Sequence, residues 1–307
     1  MSQKMPFSNL FMGSMNFGWQ KLMTVFKALI IPLIIAGIGI FIIIMSLIDF
    51  GYFIGNVEDL EYATGPGEVL AFFGETLRTD WKIALAILII GSTLVSLPIY
   101  NGYTKLSRYI GLGEEPQNWW APSLDGPTWR MFFAHIIYGL LIQAGYALGF
   151  WIAYLMNPEI FSSFGDLVDF EHDPSVVLPF LGFFFTGFGI GFIINIIIGT
   201  KLAPFTAASA CENRLMLINS WSRTKGHFWT ILSSYIVLSL VIGVISMMLD
   251  LVFQVFTTTG TLMGDIGLLL VAIVTVVYIV AQIIFAFFQM GVMIAFPALI
   301  YKYLWQE

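Results

Sequence analysis

Six stretches of this chain are too long and too apolar to be wrapped in water: 26–48, 81–100, 131–155, 177–199, 228–253 and 267–297. Each reaches the roughly 20 residues that a helix needs to cross a bilayer. The last is long enough to tilt or to enter the headgroups. Backbone polar groups in hydrocarbon must be satisfied internally, and the runs lack the alternation of a barrel strand, so each is expected to be a helix. The rest of the chain agrees: 58% of residues are hydrophobic and 10% charged, against roughly 25% charged in a soluble domain. The fold class expected is an all-α membrane protein of six transmembrane helices, plus amphipathic helices on the cytoplasmic side.

The net charge of −6 conceals a sorting of signs along the chain. Lys4, Lys21, Lys27, Lys105, Arg108, Arg130, Lys201, Arg214, Arg223, Lys225 and Lys302 all fall on one side of a six-span layout, and only Arg78 and Lys82 on the other. Acids do the reverse. Glu58, Asp59, Glu61, Glu68, Glu75 and Asp80 fill the first loop, and Glu159, Asp166, Asp169, Glu171 and Asp173 the third connection. Basic residues mark cytoplasmic loops, which places both termini on the cytoplasmic side. Tryptophans form the matching belts, Trp19, Trp119, Trp120, Trp129, Trp221, Trp229 and Trp305 inside, Trp81 and Trp151 outside. The polar stretch before the first span and the absence of an A-x-A site do not fit a cleaved signal peptide.

The expected organisation is an N-terminal amphipathic helix (1–25), a six-helix domain (26–300) and a cytoplasmic tail (301–307). Phe7, Phe11, Met15, Leu22 and Phe26 recur at helical spacing, as in a helix lying on a membrane surface. Its basic residues imply anionic inner-leaflet lipids as partners. Other membrane proteins are a further partner class, and nucleic acid is not implied. Each odd span is entered through a tryptophan (Trp19, Trp129, Trp229), and each even span carries a proline near its inner end (Pro98, Pro204, Pro297). Three repeated hairpins account for this pattern. A general attraction of Trp and Pro to the inner boundary accounts for it equally.

Between spans four and five, Ala207, Ala208, Cys211, Leu215, Ile218 and Trp221 share one helical face after Pro204. An interfacial helix is expected there, with Arg223 and Lys225 in its last turn and Gly226 as a left-handed cap. The stretch "KLAPFTAASACENRLMLINSWSRTKGHFW" resembles bacterial inner-membrane proteins related to the membrane domain of glycerophosphoryl diester phosphodiesterases. Pro204, Ala207, Ala208, Arg214, Ser220, Trp221, Thr224, Gly226 and Trp229 carry the resemblance. It implies a six-helix membrane module. No hydrolase stretch follows span six, so the enzymatic activity is not implied with it.

Candidate chemistry is sparse. Span three carries His135, Gln143 and Tyr146, span four Asn195, and span six Gln282 and Gln289. Clustered polar residues within spans mark pathways. Singly, each reads as an interhelical hydrogen-bonding group, and His135 as a hydrogen-bonded histidine near the inner boundary rather than a proton relay. No charged residue lies near a span centre, since Asp49 and Asp250 fall at outer ends. The G-x-x-x-G pairs Gly145/Gly149 and Gly187/Gly191 allow close helix approach, within one bundle or at a homodimer seam. Asp166, Asp169, Glu171 and Asp173 lack the glycine and alternation of a calcium loop. The lone cysteine, Cys211, forms no internal disulfide and reads as a small packed residue.

No catalytic, metal or cofactor site is expected, nor an enzyme. The leading expectation is a structural, scaffold or assembly module. The alternative is a transporter or lipid-handling permease for a neutral or amphipathic substrate, its cavity lined by His135, Gln143, Asn195 and Gln282. A polar cavity between spans three, four and six would separate the two.

Overall fold

A computed structural model describes residues 5–49, 52, 76, 77, 80–156, 158, 177–261 and 264–306. The acidic loops, and with them the calcium reading at Asp166–Asp173, lie outside the described residues apart from Asp80. The described chain forms helices α1 (Phe7–Gln20), α2 (Leu22–Leu47), α3 (Trp81–Val95), α4 (Leu97–Leu112), α5 (Gly126–Met156), α6 (Val177–Lys201), α7 (Phe205–Cys211), α8 (Leu217–Arg223), α9 (Phe228–Thr261) and α10 (Gly264–Gln306). Among the described residues there is no strand, only an isolated bridge between Ile48 and Leu77.

Six helical segments are long and apolar enough to cross a membrane: Leu22–Leu47, Lys82–Leu112, Gly126–Met156, Phe180–Cys211, Phe228–Gly260 and Leu269–Gln306. Helices outrun the apolar stretches because hydropathy marks the lipid-facing part, while helical hydrogen bonding continues into polar sequence. The 43 residues of α10 extend about 64 Å at 1.5 Å per residue, and residues 301–306 are its last turns. The exterior is what lipid requires. Phe41 and Ile42 of α2, Ile89 and Ile90 of α3, Ile193 of α6, Met247 and Met248 of α9, and Val276 and Val277 of α10 are all exposed. Water would not tolerate apolar surface on that scale.

The spans pair as three hairpins, α2 with α3, α5 with α6, and α9 with α10. Glycine sets the approach in the second: a Cβ built on Gly149 would stand 2.4 Å from the Gly191 nitrogen and 2.5 Å from the Gly187 oxygen. Both G-x-x-x-G pairs are therefore spent inside one hairpin. Contact between hairpins runs mainly through α1, α4 and α7, at the end carrying Lys105, Arg108, Arg130, Lys201 and Arg223. The segments that follow the three prolines meet here. Ile110 of α4, Ala207 and Ala208 of α7, and Ala298 and Tyr301 of α10 share one buried cluster. At its centre, Gly111 lies against both Tyr301 and Cys211.

α1 is docked rather than lying alone on a surface. It packs on α9 and α10 through buried Leu10, Ser14 and Gly18, with Phe11 and Met15 half-buried against the same cluster and Phe7 exposed. Gly18 approaches Val292 and the Phe288 carbonyl, so small residues, together with Leu10, set how closely α1 seats on α10.

Candidate functional site

The break between α6 and α7 shapes the interior. Pro204 precedes α7 and supplies no N–H. The chain turns there, with Phe205 donating to the Leu202 carbonyl at 2.8 Å, and sends a seven-residue helix under the bundle. Phe205, Ala207, Ala208, Ser209 and Ala210 are all buried. Two arginines from other helices cap its C-terminal carbonyls, Arg108 on Ala210 at 3.0 Å and Arg130 on Ser209 at 3.3 Å, as cations suit that end of a helix. α7 forms a floor.

The floor explains why residues 204–225 are not one amphipathic helix. Glu212 is extended, at φ −91° and ψ 160°, and accepts from the Tyr301 hydroxyl at 2.9 Å. Ser209 Oγ accepts from the Met216 nitrogen at 3.1 Å. These bonds stop the helix at Cys211 and restart it as α8. The resemblance motif falls on this connection. Ser220 is buried, Arg214 is exposed, and Trp221 and Trp229 are exposed. Thr224 is fully buried, and its hydroxyl lies between the Ser220 carbonyl of its own helix at 2.9 Å and the Lys201 carbonyl at 3.0 Å, within reach of the end of α6. Gly226 takes a φ of +96°, the left-handed conformation that favours glycine. Arg223 sits over the Trp305 ring, 4.6 Å from its centroid.

Above the floor lie two adjoining compartments. The first, of about 520 Å³, is walled by α5, α6, α9 and α10 and includes His135, Tyr138, Asn195, Thr200 and Tyr235. The second, of about 470 Å³, lies between α4, α5 and α10 and includes Tyr103, Ser107 and Gln289. His135, Thr206, Met293 and Pro297 line both. Among the described residues no Asp, Glu, Lys or Arg lines either compartment.

Several polar groups on these walls have no partner within the protein. Asn195 is 8% exposed, and neither its Oδ1 nor its Nδ2 makes a hydrogen bond. It sits over Gly145, where a Cβ would come within 2.2 Å of Oδ1. Ser107 Oγ is buried and likewise unpaired. Pro297 supplies no N–H to the Met293 carbonyl four residues earlier. His135 Nδ1 lies 2.9 Å from the Met131 carbonyl. A carbonyl only accepts, so Nδ1 carries the proton and a neutral ring keeps Nε2 as an acceptor. The ring packs against Tyr100 at 4.9 Å and Tyr103 at 6.1 Å.

The structure thus brings His135 and Asn195 together on one chamber, and not Gln143 or Gln282. Gln143 is exposed on another side of α5. Gln282 donates to Asp250 Oδ1 at 3.0 Å, beside the Tyr278 hydroxyl at 2.7 Å, in a trio joining α9 to α10. Ser107, Thr206, Tyr138 and Tyr235 are wall residues that polarity alone does not single out. The spacing of His135, Tyr138, Ile142 and Tyr146 does place those four on one face of α5. No family model, no curated protein and no solved structure matches this chain.

Proposed function

We propose that this chain is a multi-pass protein of a bacterial inner membrane, its arginine-rich floor in the cytoplasm, whose chamber receives a small uncharged or amphipathic molecule. On this reading it is a transporter or lipid-handling permease, performs no covalent chemistry, and is not primarily a scaffold. The chamber carries the reading. Protein interiors are close-packed. A recess of about 520 Å³ departs from that packing, and leaving it without an occupant would be unfavourable. An unpaired buried polar group adds about 1–3 kcal/mol. A bundle needed only for rigidity would fill that space and pair Asn195. The volume also lies within the range of small-molecule sites, about 300–1,000 Å³.

Affinity purification in mild detergent followed by native mass spectrometry tests this. The expected result is one small molecule per chain, lost on Met293→Trp, which fills the junction of the two compartments. A stoichiometric protein partner with no retained small molecule would return the scaffold reading.

A further inference from the structure

The walls of the first compartment are graded. His135 lies six residues along α5 from Trp129, Asn195 six residues before Lys201, and Tyr235 six residues along α9 from Trp229. At 1.5 Å per residue, each is about 9 Å in from the level of those boundary residues. Thr206 and Thr200 lie closer to the floor. Further out the wall is mostly apolar, through Phe192 and Ile142, with the Tyr146 ring beyond them. Ile142 stands seven residues beyond His135, about 10 Å further from the floor.

A lipid of the cytoplasmic leaflet has the same grading in the same sense, polar end toward the floor and chain toward the midplane. The first compartment is also open at its side. Phe192 and Tyr235 line it while remaining 51% and 47% exposed, and the contact between α6 and α9 is slight. Entry is therefore from the bilayer, between the second and third hairpins.

The headgroup follows from the lining. A phosphate would be held there with no cation beside it and a choline with no carboxylate, a burial that unpaired charge does not tolerate. The groups on the wall are neutral donors and acceptors: His135, the Thr206 hydroxyl, and the Tyr138 and Tyr235 hydroxyls. Both polar atoms of Asn195 are buried against Gly145, so its amide would meet a ligand only by turning out of that seat. Building on the proposal that the chamber receives a molecule, we infer that its ligand is a cytoplasmic-leaflet lipid with a small uncharged hydrogen-bonding headgroup, an acylglycerol or other lipid alcohol, admitted sideways between α6 and α9 and seated with its headgroup at His135, Thr206 and Tyr235.

Photocrosslinking of the full chain in lipid nanodiscs tests this, with one diazirine-bearing acyl chain carried on three headgroups: diacylglycerol, phosphatidylglycerol and phosphatidylethanolamine. A water-soluble diazirine alcohol serves as a fourth probe. Peptide mapping is expected to place diacylglycerol crosslinks on Ile142 and Phe192, at least tenfold above the two phospholipids there. All three lipids should label Met247 on the exterior equally. Met293→Trp, or Ile142→Trp on the opposite wall should the first variant fold poorly, is expected to reduce chamber labelling by diacylglycerol tenfold and leave Met247 labelling unchanged. Equal chamber labelling by the phospholipids overturns the headgroup assignment. Chamber labelling by the soluble alcohol alone overturns lipid entry while leaving a ligand-receiving chamber standing. No chamber labelling by any probe overturns both.

Discussion

Gly149 is where two helices meet backbone to backbone, and replacing it by alanine is a direct test of the second hairpin. The added Cβ would stand 2.4 Å from the Gly191 nitrogen, 2.5 Å from the Gly187 oxygen and 2.6 Å from the Gly191 Cα, against 3.4–4 Å for ordinary contact. All three atoms are backbone, so no rotamer change relieves the clash. α6 must retreat by roughly 1 Å, past the steep wall of the contact potential. Retreat loosens the Tyr146–Phe188 stack, whose centroids are 5.3 Å apart. Overpacking of this kind costs about 1–3 kcal/mol, and since each 1.4 kcal/mol is tenfold, the unfolding equilibrium should shift by about 5- to 150-fold. Equilibrium unfolding in mixed micelles measures it. Gly139→Ala on the same helix is the control, because nothing lies within 4 Å of a Cβ there. The control should be neutral or slightly stabilising, as Gly→Ala in a helix gains roughly 0.5–1 kcal/mol. Equal stability of the two variants would refute the backbone contact and the hairpin geometry derived from it.

Two further tests bear on the chamber and its floor. Gly145→Ala should push the Asn195 amide from its seat, since the new Cβ falls 2.2 Å from Oδ1; adding Asn195→Ala should recover most of the lost stability, and additive losses in the double variant would show that the two residues do not meet. Thr224→Val keeps the shape of a fully buried side chain but removes the hydroxyl that reaches the Lys201 carbonyl, for an expected loss of about 1 kcal/mol; hydrogen exchange at the α6–α8 connection should rise, and unchanged protection would remove that contact from the account.

The spans were legible because lipid as a solvent imposes a local rule, about 20 apolar residues, that needs no partner to read. The prolines were legible for the same reason: Pro98, Pro204 and Pro297 alter their own helices, and the segments after them converge. What escaped the sequence depended on distant contacts. The unbroken helix read at 204–225 fails because Arg108, Arg130 and Tyr301, all remote in sequence, hold the α7–α8 break. For α1, the large apolar residues did not single out Gly18, which helps set how closely the helix seats on α10. Gln282 looked available for a cavity because Asp250, its acceptor, is 32 residues away. Asn195 and His135 share a chamber because α5 and α6 pack directly on each other through glycine, and the partner in that contact cannot be read from either helix alone.

The junction under the three hairpins has a mechanical consequence. Joined near the floor and largely separate beyond it, each hairpin is a lever with its fulcrum at α4, α7 or α1. For an arm as long as the hydrocarbon is thick, about 30 Å, a tilt of about 10° at the base carries the far tip about 5 Å sideways, while atoms beside the fulcrum travel only a fraction of that. Thickness or tension in the surrounding bilayer would therefore act most strongly on the tips, and any resulting rotation would reach the chamber as a small change in the gap between α6 and α9.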